Sequence, residues 1–266
     1  MKENLKIAIE AAIAGGEEII KIYHSEDFQV EIKDDSSPLT IADKNANDKI
    51  MEFLIPTDIE IISEENKQLA YKDRKNWDTC WIVDPLDGTK EFIKKNGEFT
   101  VNIALIKNGL PVLGVIYVPA TSVLYYADVE KGKGYKTIIK STADFSAGII
   151  NSREIKPSII GGKLKVVGSK SHMNDDTLQY IDSLKGTFNK EVEIVSMGSS
   201  LKFCLVAEGL ADVYPRFAPT MEWDTAAGQA ICNAVGLEVI DKVTNANMKY
   251  NRENLLNNYF LVSNLG

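Results

Sequence analysis

Two short apolar runs of the sequence each end in acidic residues, and this pattern constrains the fold more than any other feature. Residues 58–66 read DIEIISEEN, with Glu64 as the first acid after the apolar positions. Residues 80–88 read CWIVDPLDG and place Asp84 and Asp87 after a hydrophobic run. Runs of this length and composition predict strands. If the two strands are neighbours, their carboxyl ends converge and bring the acids together.

The acids of the second run lie on a predicted tight turn. Pro85 restricts Asp84 to an extended conformation and suits the second position of a turn, whose ends lie within about 7 Å of each other. Asp84 and Asp87 can therefore point into one small volume, with the Leu86 carbonyl between them. Carboxylate and backbone oxygens are ligands that Mg²⁺ prefers. A plain Asx-turn is the alternative, and in either case Gly88 lets the chain reverse.

Two further residues extend this candidate site. Asp224, in the segment EWDTAAGQAICNAVG, lies at the start of a predicted helix, where helix capping is the alternative role. Thr89 is placed to cap a short helix that follows the turn. Acids on three elements, together with a turn carbonyl, are what a two-metal clamp for phosphoryl chemistry requires.

The remaining pattern predicts a mixed fold. Amphipathic helices are expected over residues 3–23 and 41–54, and β-rich runs over residues 98–106, 111–118 and 122–127 predict an antiparallel meander. The run KGKGYK that follows is expected to be a solvated turn.

Strands alternate with helices in the second half, which indicates an α/β layer. We therefore expect an N-terminal α+β subdomain over residues 1–150, with the antiparallel sheet and most metal ligands. A C-terminal α/β subdomain over residues 151–266 would carry Asp224 and the substrate-binding segments.

Charge and cysteine content narrow the class of partner. The formal net charge of -8 argues against binding to nucleic-acid backbones, although bound cations would let an acidic site hold a small anion. The three cysteines are widely separated and predict reduced thiols rather than a disulfide framework. No segment reaches membrane-spanning length. A cytoplasmic location is expected, with loose attachment to a membrane surface left open.

Three motifs in order, SEE, WIVDPLDGTKEFI and EWDTAAG, resemble those of the inositol monophosphatase superfamily of lithium-sensitive, Mg²⁺-dependent phosphatases. The similarity runs along nearly the whole chain. It implies an α/β fold, more closely an α+β layered sandwich in which helix and sheet layers alternate. It also implies a magnesium cofactor, with about two or three ions per active site.

The resemblance also implies roles for individual residues. Glu64, Asp84 and the Leu86 carbonyl would hold one cation, and Asp84, Asp87 and Asp224 would hold a second. Thr89 would orient the attacking water, helped by Asp43.

Within the superfamily, three details resemble the bacterial-type 3'(2'),5'-bisphosphate nucleotidases. The turn continues as KEFI, the segment GSKSHMND follows a predicted strand, and Arg216 stands where an inositol phosphatase has an acid. An arginine there suits a second phosphate. The implied substrate contacts are Gly88, Ser169, His172, Gly198, Ser199, Lys202 and Arg216.

Simpler roles stay open for several of these residues. Ser169 would serve as a helix cap, and His172 would be a polar residue before a helix. Lys202 would be a solvated surface lysine instead of a ligand for the 5'-phosphate.

The expected reaction removes the 3'-phosphate from adenosine 3',5'-bisphosphate, giving AMP and phosphate, a step that clears a by-product of sulfur metabolism. An inositol-phosphate or broad-specificity sugar phosphatase is the alternative enzyme. A cation-binding regulatory module is the non-enzyme alternative. The oligomeric state is expected to be a monomer or a homodimer.

Overall fold

The structure is a computed structural model that describes residues 1–24, 30–32, 38–158, 161–168 and 174–265. Its α-helices are α1 (Glu3–Tyr23), α2 (Ile41–Leu54), α3 (Tyr71–Arg74), α4 (Thr89–Ile93), α5 (Phe145–Ile150), α6 (Asp175–Phe188), α7 (Leu201–Ala207) and α8 (Glu222–Ala234). Short 3₁₀ turns cover Ile55–Thr57 and Thr142–Asp144.

The strands of the first half are β1 (Val30–Ile32), β2 (Pro38–Thr40), β3 (Glu60–Ser63), β4 (Thr79–Asp87), β5 (Thr100–Lys107), β6 (Leu110–Val118), β7 (Val123–Asp128), β8 (Lys133–Ile138) and β9 (Arg153–Ile155). Those of the second half are β10 (Leu164–Gly168), β11 (Val192–Ser196), β12 (Val213–Arg216), β13 (Val239–Asp241), β14 (Ala246–Asn247) and β15 (Phe260–Ser263).

The larger sheet is a continuous meander in which β3 to β9 pair in chain order. Only its edge pair, β3 and β4, is parallel; the other described pairs are antiparallel. Ser63 and Val83 form the last register pair of these two parallel strands. The acidic residues of the two runs follow directly after this pair.

The smaller sheet has the order β11-β10-β12-β15-β13-β14. Strand β10 is parallel to β11 and β12, whereas β15 is antiparallel to β12 and β13. A separate short hairpin pairs β1 with β2.

Because side chains alternate along the strands, the two faces of the larger sheet belong to two different core layers. One face of the larger sheet, with Trp81 and Ile103, packs against α1 and α2. The other face, with Ile82 and Ala104, packs against α7 and α8, which in turn contact the smaller sheet. Helix α6 covers the outer face of that sheet through Ile181 and Leu184. Helix and sheet layers therefore alternate, as predicted.

The structure confirms the predicted helices and the antiparallel meander, and it corrects one segment. Residues 133–136 of the run expected to be a solvated turn belong to β8 (Lys133–Ile138), because pairing with β7 and β9 organises a run whose own pattern is weak. The division into subdomains at residue 150 stays a prediction. Within the described residues, no helix is both long enough and apolar enough to cross a lipid bilayer.

Candidate active site

The first two acids are brought together by the parallel pair β3 and β4. Ser63 is the register partner of Val83, so Glu64 and Asp84 are the next residues along two adjacent strands. The Glu64 backbone N–H donates to the Val83 carbonyl at 3.2 Å, which fixes the glutamate beside the aspartate. This is the convergence that the sequence predicts.

The segment after Asp84 combines an Asx-turn with a bulge. The Leu86 N–H donates to Asp84 Oδ1 at 3.1 Å, and pairing with β5 shifts between Asp84 and Asp87. Gly88 then takes a φ of 92°, a left-handed conformation that glycine adopts without strain. The predicted Asx-turn is therefore present, and the metal-binding role of the same turn stays a prediction.

Thr89 is the first residue of α4, and Gly88 occupies the capping position, so the prediction that Thr89 caps this helix is wrong. Its Oγ1 instead donates to the Leu86 carbonyl at 3.4 Å. That bond holds the threonine hydroxyl over the acidic turn.

Asp224 reaches the site from α8. It is the third residue of this helix, and its Oδ2 accepts the Met221 N–H at 2.8 Å, so it does help to cap the helix. Its carboxylate lies with that of Asp87 in the wall of a cavity of about 120 Å³. Capping and a place in the site are therefore compatible.

The acids repel one another strongly. Burial, followed by the charges of Glu64, Asp87, Asp224 and Asp43, raises the pKa of Asp84 well above its ordinary value. Burial and then the Asp87 charge raise the pKa of Asp224 in the same way. Asp43, buried in the first turn of α2, thus lies within electrostatic range of the acidic turn.

This donor set fits a hard cation. It consists of carboxylates and a backbone carbonyl, and a bound divalent ion would offset the repulsion that raises the carboxyl pKa values. In the described part of the chain, no three acidic, cysteine or histidine side chains already stand in a coordinating arrangement. Cation binding would therefore have to draw the carboxylates inward.

The cavity wall also contains cationic and aromatic side chains, among them Lys202, Arg216 and Tyr214. Lys202 is buried, which contradicts the alternative of a solvated lysine, and its Nζ donates to the carbonyls of Ser199 and Met197 at 2.6 and 3.2 Å. Burial lowers the pKa of Lys202 to about 8, an effect that the Asp87 charge opposes. Arg216 Nε is buried with no acceptor among the described residues.

The loop before α7 is tied to the acidic turn. The Ser200 N–H donates to Asp87 Oδ2 at 2.6 Å, and the Gly198 N–H donates to Glu98 Oε2 at 2.7 Å. Two backbone donors that would otherwise face a phosphate are thus already bonded to carboxylates. Binding of a phosphate at this place would fall mainly to Lys202, Arg216 and the Ser199 hydroxyl.

Two of the residues predicted to contact substrate, Ser169 and His172, lie outside the described residues. Of the others, the cavity wall contains Gly88, Gly198, Ser199, Lys202 and Arg216. The sequence interpretation missed Glu98, Thr100, Asn102 and Ser200. The available signal was the pair of polar residues in FTVNIALI, where Thr100 and Asn102 share one face of an otherwise apolar strand.

The chain matches the profile of the inositol monophosphatase family over residues 1–264. It is 44% identical over 243 residues to the 3'(2'),5'-bisphosphate nucleotidase CysQ of Salmonella typhimurium, covering 89% of this chain and 90% of that protein. It is 42% identical over 254 residues to the Escherichia coli K12 protein of the same name, covering 93% and 94%.

Solved structures show the same similarity. CysQ from Bacteroides thetaiotaomicron, described as a bacterial member of the inositol monophosphatase family, superposes with a TM-score of 0.89 at 48% identity. The match covers 99% of this chain and 97% of that one. An IMPase of Thermotoga maritima shares the fold, with a TM-score of 0.73 at 23% identity over 99% and 92% of the two chains.

Proposed function

Because the chain belongs to the inositol monophosphatase family, we propose that it is a Mg²⁺-dependent phosphatase that removes the 3'-phosphate from adenosine 3',5'-bisphosphate. The products are AMP and inorganic phosphate. One observation carries the proposal: the charges of Glu64, Asp87 and Asp224 act on Asp84, and Asp87 and Asp224 line a cavity together with Lys202 and Arg216. The relatives named 3'(2'),5'-bisphosphate nucleotidase support the choice of substrate.

Each cation has an assigned set of ligands. Glu64, Asp84 and the Leu86 carbonyl would hold one Mg²⁺, and Asp84, Asp87 and Asp224 would hold a second. When bound, the ions supply Lewis-acid chemistry: they lower the pKa of water and offset the charge of the phosphate. The raised carboxyl pKa values support this assignment, because they reflect burial and then negative charge that the protein alone does not neutralise.

Thr89 orients the attacking water, and Asp43 supports it. The bond from Thr89 Oγ1 to the Leu86 carbonyl leaves the two lone pairs of the hydroxyl oxygen available, so that this oxygen can accept a hydrogen bond from the water. Asp43 is buried at the start of α2, where its charge acts on the same turn.

The second phosphate and the nucleoside bind in the part of the cavity lined by Lys202, Tyr214 and Arg216. A charged guanidinium and a buried ammonium recognise the 5'-phosphate, and Ser199 adds a hydroxyl. Gly88 and Gly198 are further proposed contacts; a Cβ built at Gly198 would stand 2.9 Å from the Glu98 carbonyl oxygen, so this glycine lets the loop before α7 lie close to Glu98. Ser169 and His172 remain proposed contacts on sequence grounds alone.

The deciding experiment is a phosphate-release panel with the purified chain. Adenosine 3',5'-bisphosphate, 5'-AMP, inositol 1-phosphate and fructose 1,6-bisphosphate are compared with Mg²⁺, with EDTA, and with added Li⁺. We expect Mg²⁺-dependent and Li⁺-sensitive release that is fastest from the adenosine bisphosphate. A preference for inositol or sugar phosphate would select the alternative enzyme. No release from any ester would favour a cation-binding regulatory module.

The remaining expectations concern the state of the protein in the cell. A cytoplasmic location, a peripheral attachment to a membrane and a monomeric or homodimeric state stay predictions. Size-exclusion chromatography with light scattering tests the oligomeric state, and fractionation of cells tests the location.

A further inference from the structure

Asn102 lies between the acidic turn and the loop before α7. It lies on β5, where it is the register partner of Asp84, while Thr100 pairs with Asp87 across the bulge. It is a buried polar residue in a strand whose neighbours are mostly apolar. A buried amide of this kind is costly unless its donor and acceptor groups are satisfied.

Its hydrogen bonds run in both directions. Asn102 Oδ1 accepts the Ser200 hydroxyl at 2.7 Å and the Thr100 hydroxyl at 3.1 Å. Asn102 Nδ2 donates to Asp87 Oδ2 at 3.4 Å, the oxygen that also accepts the Ser200 N–H. One amide therefore contacts both the acidic turn and the loop before α7.

We propose that Asn102 is a positioning residue that couples the cation-binding carboxylate of Asp87 to the substrate-binding loop of residues 197–200. The amide directs one oxygen of Asp87 toward the loop, so that the other is presented to the cavity. The carbonyl of the same amide fixes Ser200, whose neighbour Ser199 has a φ of 42° and bonds Thr100 Oγ1 at 3.2 Å. Loop and carboxylate are thereby set by a single side chain.

The two functions of the amide can be separated by mutation. Ser200→Ala removes the hydroxyl's bonds to Asn102 Oδ1 and Thr100 Oγ1 but keeps the backbone N–H that donates to Asp87. Asn102→Ala removes both the acceptor for Ser200 and the donor to Asp87. Because one buried hydrogen bond contributes roughly 1 kcal/mol, each loss should change a binding midpoint about fivefold.

The test measures Mg²⁺ binding and substrate binding independently. Thermal-shift titration with MgCl₂ alone gives the Mg²⁺ midpoint without turnover, and phosphate release gives KM for adenosine 3',5'-bisphosphate. We expect Asn102→Ala to raise both values about fivefold or more. Ser200→Ala should raise KM to a similar extent while leaving the Mg²⁺ midpoint within about twofold. The double variant should match Asn102→Ala in KM, because both changes delete the hydrogen bond between Ser200 and Asn102.

Asn233→Ala is the matched control. It truncates an asparagine at the far end of α8 that donates to the Leu237 carbonyl at 2.9 Å, so it should move neither value. The proposal is overturned if Asn102→Ala lowers only the melting temperature, or if its effect on KM adds to that of Ser200→Ala. Should Asn102→Ala not fold, a Ser200→Ala variant with unchanged KM overturns it equally.

This inference rests on the proposed function for its substrate, and the two can fail separately. A wild-type protein that binds Mg²⁺ but releases no phosphate would contradict the proposed function. The Mg²⁺ midpoint of Asn102→Ala would still decide whether the amide positions Asp87.

Discussion

Gly114 on β6 lies directly under Ala227 on α8: a Cβ built at Gly114 would stand 2.6 Å from the Ala227 carbonyl oxygen. The helix that carries Asp224 therefore rests on the larger sheet at a point where no side chain fits. Helix α8 also contacts β4 and β5, the strands of the acidic turn and of Asn102. The position of Asp224 relative to Asp87 depends on this close approach.

We predict that Gly114→Ala destabilises the protein and weakens catalysis. The added methyl group must displace backbone atoms of α8, and overpacking of this kind costs about 1–3 kcal/mol. For a chain of this size, the melting temperature should fall by about 3–10 °C. Differential scanning calorimetry measures the first effect, and phosphate release at saturating Mg²⁺ measures the second.

Gly186→Ala provides the matched control. Gly186 lies on α6, and no atom stands within 4 Å of a Cβ built there. Alanine is favoured over glycine in a helix by about 0.5–1 kcal/mol, so the melting temperature should stay constant or rise. An equal fall in both variants would show that the contact with Ala227 is not the cause.

The cysteines should be unreactive in the folded protein. All three are buried, and burial raises the pKa of Cys80 to about 12. Only a small fraction of such a thiol is ionised at pH 8, and the thiolate is the reactive form. We expect no reaction with a chromogenic disulfide reagent at pH 8 until guanidinium is added, when three thiols per chain react.

Lys140→Cys supplies the positive control, because residue 140 is exposed and its thiol should react within minutes. Rapid reaction of the unmodified chain would mean that the layer between the two sheets opens in solution.

The sequence predicted the elements around the site better than it predicted their bonds. Helix α2 has the predicted bounds. Glu64 and Asp84 come directly after the paired residues Ser63 and Val83 of two neighbouring strands, as the pattern required. These features depend on local periodicity and on the position of acids at strand ends. The roles of these acids as ligands stay predictions.

The features that the sequence did not predict depend on contacts between distant segments. Lys202 is buried with its Nζ 5.8 Å from the centroid of the Tyr214 ring and within range of the Asp87 charge, and no local pattern encodes these contacts. The Ser200 N–H is bonded to Asp87, a residue 113 positions away along the chain. Pairing across such distances decides which donors remain for a ligand.

Neutralising the central carboxylate should remove activity without loss of stability. We predict that Asp84→Asn lowers turnover by about a thousandfold or more, because loss of a shared ligand removes several kcal/mol of transition-state stabilisation. In EDTA, its melting temperature should equal or exceed that of the wild type, because Asp84 is surrounded by like charges. Asparagine also keeps the oxygen that accepts the Leu86 N–H.

Asp212→Asn is the control for removing a buried negative charge outside the site. Asp212 is buried in the other half of the chain, where Oδ2 accepts the Lys165 N–H at 2.8 Å. Mg²⁺ should still raise the melting temperature of this variant, whereas that rise should be absent in Asp84→Asn. Normal Mg²⁺-dependent turnover by Asp84→Asn would show that the assigned ligands are wrong.

Arg216 should distinguish bisphosphates from monophosphates. Arg216 lines the same cavity as Asp87 and Asp224 and keeps a buried Nε without an acceptor in the described chain, so a second phosphate would satisfy it. We predict that Arg216→Ala raises KM for adenosine 3',5'-bisphosphate about 10- to 100-fold, as expected for a lost charge-assisted hydrogen bond. KM for 3'-AMP should change less than about threefold.

Arg216→Lys tests whether the shape or the charge of the side chain matters, since lysine keeps the charge but not the planar fork. Its KM for adenosine 3',5'-bisphosphate should lie between those of the wild type and Arg216→Ala. Arg153→Ala serves as the control, because Arg153 pairs with Glu208 at 3.2 Å away from the cavity. Both substrates should behave normally in that variant. If Arg216→Ala raises KM equally for the bisphosphate and the monophosphate, Arg216 contacts the reacting phosphate or supports the fold, and the selection of a second phosphate lies elsewhere.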